Sequence, residues 1–395
     1  MAQLTVHRGT RQIGGCVTEI ATDSSRVFID FGENLPSEAS TDIKNNSLHI
    51  EGLTTGEGSN SALFLTHYHG DHIGRLPEVM TDVPVYMGNT AKAIFIKYAK
   101  RVNDKNLSSY ERINTFTPLE LITIGDITVI PLMIDHSAFD AYMFVIQAGD
   151  KKILHTGDFR LHGPRGKATI KALEIWAKNI DYIICEGTTL SRNKQPPTEY
   201  QTQQDAAKLM KTAKYVFVLC SSTNIDRISA FNKANPKGRM FICDDYQKDV
   251  LDIVTENHAN KSSFYDFSNV RSYKGYLEKP MREKGFCMII KQGGLAPRVM
   301  ERFKENCLVI YSMWSGYLKG RTKKQGLVDF LAPYEYTELH TSGHASAEDI
   351  KKVYEAVKPK CGIIPIHTDS PELFKSIIPK DNVIMLADCE ELVLK

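Results

Sequence analysis

Short runs in which apolar and β-branched residues crowd together between turn formers recur along the first part of the chain. Val17-Thr18-Glu19-Ile20, Arg26-Val27-Phe28-Ile29-Asp30 and Ala62-Leu63-Phe64-Leu65-Thr66 are of this kind and predict β-strands. Ile127-Thr128-Val129-Ile130-Pro131-Leu132, Tyr142-Met143-Phe144-Val145-Ile146 and Lys152-Ile153-Leu154-His155 predict three more. Between them, residues 90–99 repeat their apolar positions at helical spacing, and 76–80 has a helix-like pattern. Strands tied by hairpins, with helices between some of them, predict sheets covered by helices.

The polar, proline-containing stretch Asn193-Lys194-Gln195-Pro196-Pro197-Thr198-Glu199 predicts a linker. Beyond it the pattern alternates: helix over 203–212, strand at 215–219, helix from about Asn224, strands at 240–243 and 287–290, helix at 297–303, strand at 308–311. These spacings leave room for the crossovers of a dozen residues or more that parallel strands need. Around Tyr334-Glu335-Tyr336 the chain is expected to return to the first domain, closing with strands at 361–366 and 383–387. The expected division is residues 1–192, an inserted parallel α/β domain at 193–333, and a closing part of the first domain at 334–395. A chain of 395 residues exceeds the roughly 250–300 at which single cores stop growing, so two cores fit.

Composition narrows the function classes. With 42% hydrophobic and 24% charged residues and a net charge of +2, a polyanion would have to be met by a local groove, not a uniformly basic body. Eight cysteines, none in a Cys-x-x-Cys pair, argue against a disulfide framework and a cysteine zinc site. The first residues lack the apolar core of a signal peptide, and no run approaches the roughly 20 apolar residues of a membrane span. A cytoplasmic location without membrane association is expected. Gly166-Lys167-Ala168 lacks the glycine spacing and following hydroxyl of a phosphate-binding loop, which argues against an ATP-driven activity.

The chemistry concentrates in Thr66-His67-Tyr68-His69-Gly70-Asp71-His72-Ile73-Gly74. Three of only 12 histidines fall within six positions, beside an aspartate, which chance clustering in a turn does not explain. Imidazoles two residues apart at a strand end point the same way. His72 and Asp71, in the turn that follows, can then face a second metal. Imidazole with carboxylate suits zinc, with manganese as the harder alternative. Two later segments place metal-ligating residues at strand ends: Ile134-Asp135-His136-Ser137, and Leu154-His155-Thr156-Gly157-Asp158, where Gly157 permits close backbone approach. His367 ends the last strong apolar run, Ile363-Ile364-Pro365-Ile366.

In that order, His-x-His-x-Asp-His, then His136, Asp158 and His367, the sequence resembles the metallo-β-lactamase superfamily. The resemblance implies an αββα sandwich. It places one metal on His67, His69 and His136, a second on Asp71, His72 and His367, and Asp158 between them, with Asp30 supporting the site from behind. The roughly 200 residues between Asp158 and His367 look like a β-CASP insertion, the cap of nucleic-acid-processing members. Ile183-Ile184-Cys185-Glu186, Thr341-Ser342-Gly343-His344-Ala345 and Ile363-Ile364-Pro365-Ile366-His367 match three motifs of that group, in a form similar to the ribonuclease J-like proteins. Gly187 departs from the serine usual there, and little chain follows His367, so no counterpart of the C-terminal domain of ribonuclease J is expected.

The implied activity is hydrolysis of RNA phosphodiesters, internally or from the 5′ end, by hydroxide activated between two zinc ions, with single-stranded RNA as partner and DNA as the alternative. Asp71, Glu186 and His344 are the expected catalytic residues, His344 as donor or general acid and Glu186 as its orienter. Ser342 and the Gly343 turn are expected to bind phosphate. Ser222 and Asn224, entering a helix one turn before Arg227, are either a second phosphate site or a helix cap. Basic residues of 159–167 are expected to face substrate. The basic run 319–324 reads mainly as a solvated face, and Tyr311, Trp314 and Tyr317 mainly as packing. Two other readings compete: a small-molecule ester, lactone or thioester hydrolase on the same metals, which has no need of a long cap, and a catalytically silent RNA-binding relative, against which the intact ligand set argues.

Overall fold

A computed structural model describes residues 1–35, 47–192, 195–320 and 322–395. Asn193 and Lys194 of the expected linker, and Arg321 of the basic run, lie outside the described residues. The chain divides into two compact units. One comprises Met1–Leu161, Arg165–Gln195 and Gly343–Lys395, the other His162–Pro164 and Pro196–Ser342.

The first unit contains two sheets. Seven strands run in the order Glu391–Val393, Gln3–Arg8, Val17–Ala21, Arg26–Ile29, Ser61–Phe64, Val85–Gly88 and Asn114–Phe116. Six form the second, in the order Gly362–Ile366, Tyr182–Glu186, Lys151–His155, Ala141–Ala148, Ile127–Ile134 and Ile122–Ile124. Leu4, Ile20, Val27, Ile29, Ala62 and Phe64 of the first share one buried cluster with Val129, Phe144, Ile146, Ile153, Ile184 and Ile364 of the second. The sheets therefore pack face to face, and the alternate residues of the second, among them Leu132, Val145, Leu154, Ile183 and Ile363, bury against Leu173, Ile350, Val353 and Phe374 of the helices outside. On the other side the helix Asn89–Arg101 lies against Val85–Gly88. This is the expected αββα sandwich.

The second unit is a six-stranded parallel sheet: Val270–Ser272, Met240–Cys243, Phe286–Ile290, Tyr215–Leu219, Cys307–Tyr311, Tyr336–Glu338. Its strands are apolar on both faces because helices cover both, as parallel sheets require. Tyr336–Glu338 still pairs with this sheet, and the unit runs to Ser342, later than the return expected near 334. The first helix spans Glu199–Met210 and starts before the expected 203, because the Thr198 hydroxyl accepts from the Gln201 amide and caps it. Residues 383–387 form no strand, only a bridge from Val383 to Ile363; Glu391–Val393 takes the edge beside Gln3–Arg8 instead. Residues 76–80 carry a single 3-10 turn at Leu76–Glu78. Among the described residues, no helix is long and apolar enough to cross a membrane.

Inside the second unit Arg227 is completely buried. Its guanidinium donates to both carboxylate oxygens of Glu199, to Ser312 Oγ at 2.6 Å and to the Thr341 carbonyl at 3.3 Å. Asn224 Oδ1 accepts from the Arg227 amide at 3.2 Å and so caps the helix Ile225–Ala234. Of the two uses weighed for 221–224, the structure shows the cap, and the Arg227 side chain is committed to Glu199. Tyr311 is buried with its hydroxyl donating to the Trp314 carbonyl at 2.9 Å, a packing role. Replacing Arg227 by Met leaves the Glu199 carboxylate buried without its cation, a loss of about 3–5 kcal/mol. Urea unfolding of Arg227→Met should show that shift, and an unmoved midpoint would exclude the pair as a support of this unit.

Candidate metal centre

The backbone brings the candidate residues of the first unit to one end of the sandwich. Asp30 follows Arg26–Ile29, His67 follows Ser61–Phe64, His136 follows Ile127–Ile134, Asp158 follows Lys151–His155, Glu186 ends Tyr182–Glu186, and His367 follows Gly362–Ile366. His67 and His69 stand beyond the strand in an extended segment, not on it, yet they converge: His67 Nε2 lies 3.0 Å from His69 Nδ1. The turn Gly70–Ile73 follows and carries Asp71 and His72.

Two donor groups result. Ligating atoms of His67, His69 and His136 lie within 4.8 Å of one another, as do those of Asp71, His72, Asp158 and His367. A third grouping that sequence reasoning missed joins His136, Asp158 and His344. Asp158 Oδ2 is 3.1 Å from His72 Nε2 and 3.9 Å from His67 Nε2, so this carboxylate touches both groups.

The imidazoles are held from behind. His72 Nδ1 donates to Asp30 Oδ2 at 2.8 Å, and that carboxylate accepts from the Thr66 amide and hydroxyl at 2.8 Å. His67 Nδ1 is 3.0 Å from the same Thr66 hydroxyl. His136 Nδ1 donates to the Gly343 carbonyl at 2.7 Å, and His367 Nδ1 lies 2.8 Å from Thr188 Oγ1. In each of these four rings Nδ1 is engaged, which turns Nε2 inward, while His69 presents Nδ1. Thr66 and Thr188 carried no signal in the sequence, because a single threonine beside a strand end is commonplace.

Close backbone packing fixes the ligand loop. The amides of Phe31 and Glu33 donate to the carbonyls of His72 and Gly70 at 2.8 and 3.0 Å, and the Gly15 amide donates to that of Asp71 at 3.1 Å. A Cβ on Gly32 would stand 1.6 Å from the Asp71 carbonyl oxygen. Gly157 has φ +51°, and its Cβ position lies 2.8 Å from the Thr66 side chain, the close approach expected there.

Five of the donors have the protonation states a cation needs, and His72 has a proton to give up. Burial and the neighbouring imidazoles hold His67 well below the usual histidine range; burial brings His69 down to about 4 and keeps His136 low. Burial opposes ionisation of Asp71 and Asp158, yet the facing imidazoles hold both below the usual carboxylate range. Burial also disfavours charge on His72, but Asp158, Asp30 and Asp71 outweigh it and raise its pKa well above normal. Asp158 Oδ1 is buried without a hydrogen-bond partner. The neutral imidazoles of His67, His69 and His136, the ionised carboxylates and this orphaned oxygen fit a divalent cation that displaces the His72 proton, and the cluster is a divalent metal site.

Glu186 and His344 flank it. Glu186 Oε1 accepts from the amides of Phe159 and Ala345 at 2.9 and 3.2 Å, and Oε2 from the Thr188 amide at 3.3 Å and His344 Nδ1 at 3.1 Å. Burial opposes the charge on His344, yet Glu186 and Asp158 raise its pKa to about 9. His344 is 24% exposed, Asp71 13%, and His69 half-buried, whereas His67, His72, His136, Asp158 and His367 show 2% or less, so the site opens on one side. Ser342, Ser222 and Asn224 belong to the second unit, where the Ser342 carbonyl accepts from His162 Nε2 at 2.8 Å. Arg160, expected to face substrate, is instead fully buried on Asp135 at 2.7 Å, and Arg165 donates to the Ile134 carbonyl.

Residues 61–218 match the metallo-beta-lactamase superfamily, and residues 336–374 match the Zn-dependent metallo-hydrolase RNA specificity domain. The chain is 25% identical to ribonuclease J of Mycoplasma pneumoniae, over 91% of this chain and 66% of that protein. It is 22% identical to ribonuclease J of Helicobacter pylori J99, over 99% of this chain and 60% of that one. The chain thus matches somewhat under two thirds of the length of these relatives. A protein of unknown function from Enterococcus faecalis V583 shares the fold, with a TM-score of 0.80, 21% identity and complete coverage of both chains.

Because His72 carries a proton until a cation replaces it, metal uptake should release protons and strengthen as pH rises. Calorimetry in buffers of different ionisation enthalpy measures the release; identical heats in all buffers would contradict it.

Proposed function

We propose that this chain, which carries a metallo-β-lactamase domain and the RNA specificity domain of zinc-dependent metallo-hydrolases, is a ribonuclease that hydrolyses RNA phosphodiesters on two metal ions. The observation that carries the reading is Asp158, whose carboxylate touches both donor groups. One ion falls to His67, His69 and His136, the other to Asp71, His72 and His367, with Asp158 shared. Imidazole-rich donors favour zinc, with manganese as the harder substitute. Names of the relatives, ribonuclease J in two bacteria, support RNA as substrate. The parallel unit Pro196–Ser342 supports reading it as a β-CASP-type cap.

When bound, the ions supply activation of the nucleophile and charge neutralisation at phosphorus. The protein contributes orientation and a proton. Three backbone amides and His344 hold Glu186, so its carboxylate is a fixed abutment against which the imidazole is set. His344 is cationic at neutral pH under the influence of Glu186 and Asp158, and it donates to a phosphate oxygen or to the departing oxygen. His69, Asp71 and His344 line the open side, where a phosphodiester approaches. Ser342 and the backbone of Gly343 are placed next to His344 in the chain and bind an adjoining phosphate.

The test is incubation of zinc- or manganese-loaded protein with 5′-monophosphorylated and 5′-triphosphorylated single-stranded RNA beside matched DNA. Asp71→Ala should lose both cleavage and the second ion. His344→Ala should lose cleavage by at least about 100-fold, the scale of a general acid, with metal content still near two per chain. Intact RNA in the presence of two bound ions would overturn the nuclease reading, and loss of metal in His344→Ala would overturn its role.

A further inference from the structure

His367 occupies an unusual backbone position. Its φ is +50°, in the left-handed region that side-chain-bearing residues rarely adopt, immediately after the strand Gly362–Ile366. One side chain engages both its backbone and its ring: Thr188 Oγ1 lies 3.2 Å from the His367 carbonyl oxygen and 2.8 Å from Nδ1. A hydroxyl has one proton to give and lone pairs to receive. If it donates to the carbonyl, it must accept from Nδ1–H, and the Nε2 lone pair is then free. The Gly14 amide donates to Nε2 at 3.2 Å, which shows the unprotonated lone pair presented there; a bound cation would take the amide's place on it. Asp71 Oδ2, also an acceptor, stands 3.2 Å from Nε2, so two acceptor atoms converge where a cation reconciles them.

The backing of the two histidines assigned to this ion differs. His72 rests on a carboxylate, Asp30, while His367 rests on a neutral hydroxyl. A carboxylate raises the basicity of the ring it holds more than a hydroxyl does. Thr188 itself is 3% exposed, and its amide donates to Glu186 Oε2, so the hydroxyl is placed by the same carboxylate that sets His344.

We propose that Thr188 is a positioning residue for the second metal: by accepting from His367 Nδ1–H and donating to the His367 carbonyl, it keeps the left-handed turn and aims Nε2 at the Asp71 side of the site. The role rests on the two-ion reading above. Thr188 touches neither substrate nor metal, and its effect is selective. The ion on His67, His69 and His136 has no contact with it, whereas occupancy of the other position depends on it.

The experiment is zinc titration of the whole chain against a competing chelator, for wild type, Thr188→Val and Thr188→Ser, with melting of each metal-free protein alongside. Valine keeps the shape and removes the hydroxyl. The second equivalent should weaken roughly 10–100-fold in Thr188→Val, the usual scale for loss of a partner behind a ligand. The first should stay unchanged, and serine should restore the second. Zinc-loaded wild type should also show a His367 Nδ1 proton that exchanges slowly, identified by its loss in His367→Gln. Equal affinity for both equivalents in Thr188→Val, or fast exchange of that proton in wild type, overturns the proposal. The exchange measurement decides even where the valine variant does not fold. A wild type that takes no second equivalent overturns the two-ion reading itself. Two normal equivalents in both proteins overturn only the role of Thr188.

Discussion

Everything at this centre follows from the cost of collecting polar groups where water is scarce. Five imidazoles and the carboxylates of Asp30, Asp71 and Asp158 share one end of a sandwich, four of the imidazoles nearly inaccessible. An isolated buried charge is prohibitively expensive, so each group needs a partner. Most find one on the protein: Asp30 takes Thr66 and His72, His136 takes a carbonyl, and Glu186 takes three amides. Asp158 Oδ1 does not. That oxygen faces the donor cluster, where a cation would complete the polar network.

The same principle ties the fold to the chemistry. Strands of both sheets end together, so ligands far apart in the chain arrive at one place without long, floppy loops. Departures from regular backbone occur where strands give way to the site: Asp30 and His367 both have positive φ. Such positions cost energy and persist where neighbours over-determine them. Asp30 is held by Thr66 and His72, and His367 by Thr188 and by its amide hydrogen bond to the Gly9 carbonyl.

Much of this was legible in the sequence, for identifiable reasons. Strands of the parallel unit at 215–219 and 240–243 were read to the residue, because runs buried on both faces have sharp polar borders. The metal loop was legible because histidines are scarce and clustered. What escaped depends on tertiary contact. Thr66 and Thr188 matter only through the ring behind which they sit. Arg160 looked like a substrate contact because it follows Asp158, but Asp135 lies across from it in space and claims it. The return from the second unit was placed too early, since Tyr336–Glu338 is short and mostly exposed and carries little hydrophobic signal of its own. In Ser221-Ser222-Thr223-Asn224 a helix cap and an anion site look alike in sequence, and the cap becomes visible only where the Arg227 amide meets the Asn224 oxygen.

The spread of the ligands along the chain has a consequence in time. Donors begin at residue 67 and end at His367, and that last one comes from a strand at the edge of the second sheet, paired with Tyr182–Glu186. Contacts between such distant positions form late, because loop closure must precede them. During synthesis, therefore, His67, His69 and His136 are all made long before His367 joins His72 in the second donor group. A newly made chain passes through a stage in which the first donor group is present while the second still lacks the imidazole that the final strand brings.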